Sequence, residues 1–137
     1  MLSRIGLKLK NEVNTEMSNK IAMLVEDEPI LRTGYKMTLE RAGYQVDEFD
    51  RVDDALPHLG NGRAYGLIVS DIQTPGRNDG RALIEQAKEK HPDARVIGMS
   101  ARGLDAIEGC SSEPDVFLQK PFGLQELTFH ASRQQAL

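Results

Sequence analysis

Between Lys20 and the end of the chain, short apolar runs alternate with stretches of helical spacing, five times over. Ile21-Ala22-Met23-Leu24-Val25 is apolar throughout, the pattern of a strand buried on both faces. Pro29 opens a helical stretch through Arg41, with Ile30, Leu31, Tyr35 and Leu39 as its apolar stripe and Gly43 as its stop. Tyr44 to Phe49 reads as a second, less hydrophobic strand, and Asp53 to Leu59 as a short helix ended by Gly60. Gly66 to Ser70 is a third strand. Gly80 to Lys90 is helical, with Leu83, Ile84 and Ala87 inward, and Pro92 follows. Arg95 to Met99 is a fourth strand, and Leu104 to Cys110 a short, weak helix between Gly103 and Gly109. Asp115 to Leu118 is the fifth strand and Leu124 to Gln135 the last helix.

Such alternation demands a parallel sheet with helices on both faces, because each crossover lays a helix against the sheet. Five units of this size predict a flavodoxin-like, doubly wound α/β fold of five strands in the order 2-1-3-4-5. The 137 residues suffice for one such domain, which we place at residues 20–137. Residues 1–19 differ in character. Arg4, Lys8 and Lys10 are mixed with Leu2, Ile5, Leu9 and Val13 at a loose helical spacing, and Met17 offers an alternative start. We read them as a frayed or briefly helical extension, since Gly6 and a small apolar face argue against a strong binding helix. Composition excludes several functions. Aromatics are 5% with no Trp, and net charge is -4, which disfavours direct nucleic-acid binding. No apolar run approaches the ~20 residues of a membrane helix. Cys110 is alone, so neither an intrachain disulfide nor a Cys-cluster zinc site forms, and a reducing cytoplasm is the expected location.

Ligands of this topology bind beyond the carboxyl ends of the strands. Glu26-Asp27-Glu28 follows strand one; adjacent acids there are costly unless a cation sits among them, and hard oxygen ligands suit Mg2+. A solvated acidic turn is an equal reading of those residues alone. Asp71 follows strand three, facing Asp27 across adjoining strands, where a carboxylate serves as metal ligand or as nucleophile toward phosphorus. A helix-cap aspartate is the bland alternative. Ser100 and Ala101 follow strand four and suit a phosphoryl group, or else cap the next helix. Lys120 follows strand five, aimed inward if Lys120-Pro121 is cis, or is a surface lysine. Each signal is weak alone. Acid, acid, hydroxyl and lysine in that order at four strand ends are specific together.

These residues resemble the response-regulator receiver domain of two-component signalling, in a stand-alone, chemotaxis-regulator-like form. The matching segments are Leu24-Val25-Glu26-Asp27-Glu28-Pro29, Val69-Ser70-Asp71-Ile72-Gln73-Thr74-Pro75, Met99-Ser100-Ala101 and Leu118-Gln119-Lys120-Pro121-Phe122. The resemblance implies that Asp71 accepts a phosphoryl group from a sensor histidine kinase or histidine phosphotransfer protein. It implies Mg2+ held by Asp27 and Asp71, by Glu26 through water, and by the Gln73 backbone carbonyl. Ser100 and Ala101 would meet the phosphoryl group, Lys120 would pair with its oxygens, and Phe117 would report the switch. Gln73 and Arg102 fall at the two positions that tune phosphoryl lifetime; solvent exposure is the expected state of Arg102. The implied role is a signalling phosphoacceptor acting on a downstream protein, not a turnover enzyme.

Some features depart from the family. The loop Pro75-Gly76-Arg77-Asn78-Asp79-Gly80 is one residue longer than usual, and Thr74 replaces a large apolar residue. Gly103, Gly109 and Pro114 weaken the fourth helix, which puts dimerisation through it in doubt. After Phe122 the remaining residues suffice for a last helix, so a receiver without an output domain of its own is expected. His130 is expected to be an ordinary helix residue and Cys110 inert. Three rivals stand beside the main reading, one of them a flavodoxin-like cofactor binder, whose phosphate Glu26-Asp27-Glu28 would repel unless a metal intervenes. A phosphatase of the haloacid-dehalogenase type needs a proton-donating acid two residues after its aspartate, where Gln73 stands. A pseudo-receiver would bind a partner without phosphorylation, against which the full acid, hydroxyl and lysine set counts.

Overall fold

In the computed structural model, which describes residues 20–132, the five apolar runs form one parallel sheet in the order β2-β1-β3-β4-β5. The strands are β1 Ile21–Val25, β2 Gln45–Phe49, β3 Leu67–Asp71, β4 Arg95–Ser100 and β5 Val116–Gln119. The helices are α1 Pro29–Arg41, α2 Val52–Ala55, α3 Gly80–Lys90 and α4 Leu124–Ser132. This is the doubly wound fold expected. The proposed extension at residues 1–19, and the expected run of the last helix from 133 to 135, lie outside the described residues.

Side-chain alternation along the central strands builds two cores. Met23 and Val25 of β1 and Ile68 of β3 face one side, under Val52, Ala55, Leu83, Ile84 and Ala87 of α2 and α3. Ala22 and Leu24, with Leu67 and Val69, face the other, under Tyr35 and Leu39 of α1 and Leu127 and Ala131 of α4. All of these residues are buried, which explains why β1 and β3 read as unbroken apolar runs. β2 is an edge strand and only half-buried.

The structure corrects several boundaries. Ile30 is 87% exposed and leaves the α1 stripe, whose buried residues are Tyr35, Thr38 and Leu39. The expected helix from Asp53 to Leu59 is one α-helical turn followed by a 3₁₀ turn, Leu56–Gly60, because Pro57 has no N–H to continue the ladder. The expected helix from Leu104 to Cys110 is a single 3₁₀ turn, Gly103–Ile107, with Gly103 and Gly109 at φ +73° and +78° on either side. β3 and β4 each run one residue further than the apolar pattern, so Asp71 and Ser100 are last residues of strands. β5 is shifted one residue toward the C-terminus. Tyr44 precedes β2 and donates its hydroxyl hydrogen to the Ala131 carbonyl at 2.6 Å, tying α4 to the sheet.

Candidate functional site

Strand order reverses between β1 and β3, and the candidate residues meet at the carboxyl ends of these two strands. Glu26 continues β1, its N–H donating to the Phe49 carbonyl at 3.1 Å, and its side chain is fully buried. Asp71 ends β3 and is buried beside it. Asp27 points to solvent, yet Glu26, Asp27 and Asp71 each bring a carboxylate oxygen within 4.8 Å of the others. Glu28 is exposed, and its N–H donates to Glu26 Oε2 at 3.2 Å.

Lys120 enters from β5 across a cis bond to Pro121. Its N–H donates to the Ser100 carbonyl at 2.9 Å, continuing the sheet. Its ammonium donates to Glu26 Oε1 at 2.5 Å and lies 2.7 Å from Asp71 Oδ1. Phe122 stacks on Tyr35, with ring centroids 5.4 Å apart, and anchors the turn that aims the lysine.

Two buried acids share one cation, so ionising both would leave net negative charge in the cleft. Desolvation, and next the hydrogen bond with Glu26, push the Asp71 carboxyl up to about 8, with Lys120 opposing. Burial acts the same way on Glu26, but bonds to Asp71, Lys120 and the Glu28 N–H together hold it below the usual range. Burial disfavours the Lys120 ammonium, and its two acid partners outweigh that and raise it to about 12. A buried carboxyl kept protonated by its neighbour, beside an all-oxygen donor set, fits a hard divalent cation.

The remaining expected residues surround this centre. Ser100 is buried and its hydroxyl is engaged twice, donating to Gln73 Oε1 at 2.7 Å and accepting from the Arg102 N–H at 3.0 Å. The Arg102 N–H is thus already engaged by that hydroxyl. Ala101 and the Arg102 side chain are exposed. Phe117 is half-buried against the core under α2 and α3. Cys110 is a half-buried free thiol, and His130 lies on α4 edge-on to Phe129.

Sequence reasoning missed Asp53. From the first turn of α2 it accepts hydrogen bonds from Arg77 and Asn78 in the loop after β3. Nothing local distinguishes it from Asp54, since its partners lie 24 and 25 residues away. Thr74, whose polarity had no explanation, contacts the Val52 N–H and the Asn78 carbonyl at 3.4 and 3.5 Å.

A family model for the response regulator receiver domain matches residues 22–132. The transcriptional regulatory protein QseB of Haemophilus influenzae is 31% identical over 117 residues, which is 84% of this chain and 51% of that protein. The chain thus spans about half the length of that curated relative. A response regulator receiver protein from Sinorhizobium medicae is similar in structure with a TM-score of 0.75 and 26% identity, covering 83% of this chain and 92% of that one. The response regulator protein TrrA of Thermotoga maritima, solved in complex with Mg2+–BeF, has a TM-score of 0.70 and 29% identity, covering 80% of this chain and 94% of its own.

Proposed function

This chain belongs to the response regulator receiver domain family, and from that premise we propose that Asp71 accepts a phosphoryl group from the histidine of a sensor kinase or phosphotransfer protein. The observation that carries the reading is the Lys120 ammonium bonded at once to Glu26 and Asp71, with Asp27 adding a third carboxylate within 4.8 Å. Asp27, Asp71 and the Gln73 carbonyl would hold Mg2+ directly and Glu26 through water. When bound, the ion supplies positive charge that keeps the acids ionised and offsets the phosphoryl oxygens.

The chain's residues account for the remainder. Asp71 loses its proton to solvent and attacks phosphorus. The new O–P bond forms as the P–N bond of phosphohistidine breaks, and the electron pair stays on the imidazole. Lys120 turns from the acids toward the phosphoryl oxygens. The Ser100 hydroxyl has one hydrogen, now given to Gln73, so donating it to the phosphoryl group requires that bond to break. Gln73 thereby tunes the switch, Phe117 follows the turn, and exposed Arg102 screens the group from outside. The output is recognition by a downstream protein in the cytoplasm, with no turnover of a separate substrate. A small phosphodonor with Mg2+ should add one phosphoryl group, seen by mass spectrometry, and Asp71→Asn should abolish it. Persistent labelling of that variant would refute the nucleophile assignment.

A further inference from the structure

The loop between β3 and α3 carries Gln73 at its start, and its middle is solvent-facing. Pro75, Gly76 and Arg77 are exposed, and Gly76 sits at φ +115°. One backbone bond closes its base, from the Gly80 N–H to the Ile72 carbonyl at 2.8 Å. The middle is held from outside by Asp53. Its carboxylate accepts from the Arg77 N–H at 2.8 Å, the Asn78 N–H at 3.0 Å and the Asn78 side-chain amide at 2.9 Å. Thr74 adds its two longer contacts at the same end of α2. A Cβ on Gly76 would collide with the Asp53 carboxylate, so glycine is what lets the loop close over this acid. A loop one residue longer than the family's is thus tied down by a charged clamp at its far side.

We propose that Asp53 is a positioning residue for the metal site, fixing the 74–78 loop and with it the peptide that presents the Gln73 carbonyl. Hydrogen bonds to an ionised acceptor are roughly twice as strong as neutral ones. Mg2+ tolerates little departure from octahedral geometry at about 2.0–2.1 Å. Without the clamp, the loop must be ordered each time the ion binds, and that entropy is charged to affinity. Replacing groups that orient ligands typically costs about 10–100-fold in metal affinity; Asp53 acts through a loop, so the lower end is expected.

The inference rests on the Gln73 carbonyl being a ligand, as read above. Calorimetric Mg2+ titration of the full chain separates the two. Asp53→Ala should weaken Mg2+ binding by about tenfold, Asn78→Ala by less, and Asp53→Asn should recover part of the loss. Asp54→Ala, which removes only an exposed acid 3.9 Å from Arg51, should bind as the wild type does. Labelling of Asp53→Ala by a small phosphodonor should be slow at low Mg2+ and recover at saturation. A merely structural role would lower Tm and leave Mg2+ affinity unchanged, which overturns the inference. Should Asp53→Ala not fold, wild-type affinity in Asn78→Ala overturns it equally. A wild type that binds no Mg2+ overturns this inference together with the metal reading.

Discussion

Lys120 reaches two buried carboxylates with one ammonium, and the charge state of the cleft turns on it. An opposite charge at this range lowers a carboxyl pKa by about 1–3 units. Lys120→Ala should therefore raise the Asp71 midpoint above about 8, and shrink further the already minor ionised fraction at neutral pH. Protonated Asp71 is no nucleophile, so labelling by a small phosphodonor should slow by about tenfold or more at pH 7. Carboxyl carbon NMR across a pH series reads the shift directly, and a midpoint that stays or falls would show that Lys120 does not govern it. At this scale the sequence was informative because Glu26, Asp27, Asp71 and Lys120 each abut an apolar strand, so their position along the chain also gives their position in space. Asp53 abuts no such run. Its meaning lies in contacts that only the folded loop creates.

Elements position these residues through close backbone approaches. Gly80 begins α3, is buried, and donates its N–H to the Ile72 carbonyl. A Cβ there would strike the Asp71 carbonyl oxygen and the Ile72 backbone. Neither is a flexible side chain that can move aside. Gly80→Ala should thus displace the Asp71 peptide itself and cost about 1–3 kcal/mol, the usual range for overpacking. Chemical denaturation measures the cost, and full stability together with wild-type labelling would show that the backbone yields freely. The central strands and α1 and α3 were legible for a related reason: burial on both sheet faces, or on one helix face, imposes a period that residue types reveal. The stretch from Leu104 to Cys110 has an apolar residue at Ile107 but glycines at both flanks, and no period separates one 3₁₀ turn from two helical turns. Ile30 fits the helical spacing of α1 and still faces solvent, since a repeat of 3.6 residues cannot tell the edge of a stripe from its centre.

Across the whole molecule, the site trades stability against function through one proton. Asp71 titrates at about 8 in the fold against an ordinary value of 3.8. Between those values the folded chain holds a proton that the unfolded chain has released. Stability contributed by this group is complete below the lower value and is lost as pH rises through the upper one. Glu26, held below its ordinary 4.5, acts in the opposite sense, and its contribution is lost only on acidification. Lys120, raised to about 12 from 10.5, contributes until strongly alkaline pH. From about pH 5 to 8, Asp71 therefore sets the slope among these three, and the metal-free protein should lose stability across that span. Mg2+ bound as proposed would compete for the same oxygens and release the proton, so its effect should grow as the proton becomes easier to remove. At about 100 times its Kd the ion would add about 2.7 kcal/mol, roughly 10 °C in Tm for a domain of this size. Calorimetric scans with and without Mg2+ should show a smaller shift at pH 6 than at pH 8.5. Equal shifts at both pH values would mean that the ion displaces no proton, and the coupling of Asp71 to Glu26 would then have to be abandoned.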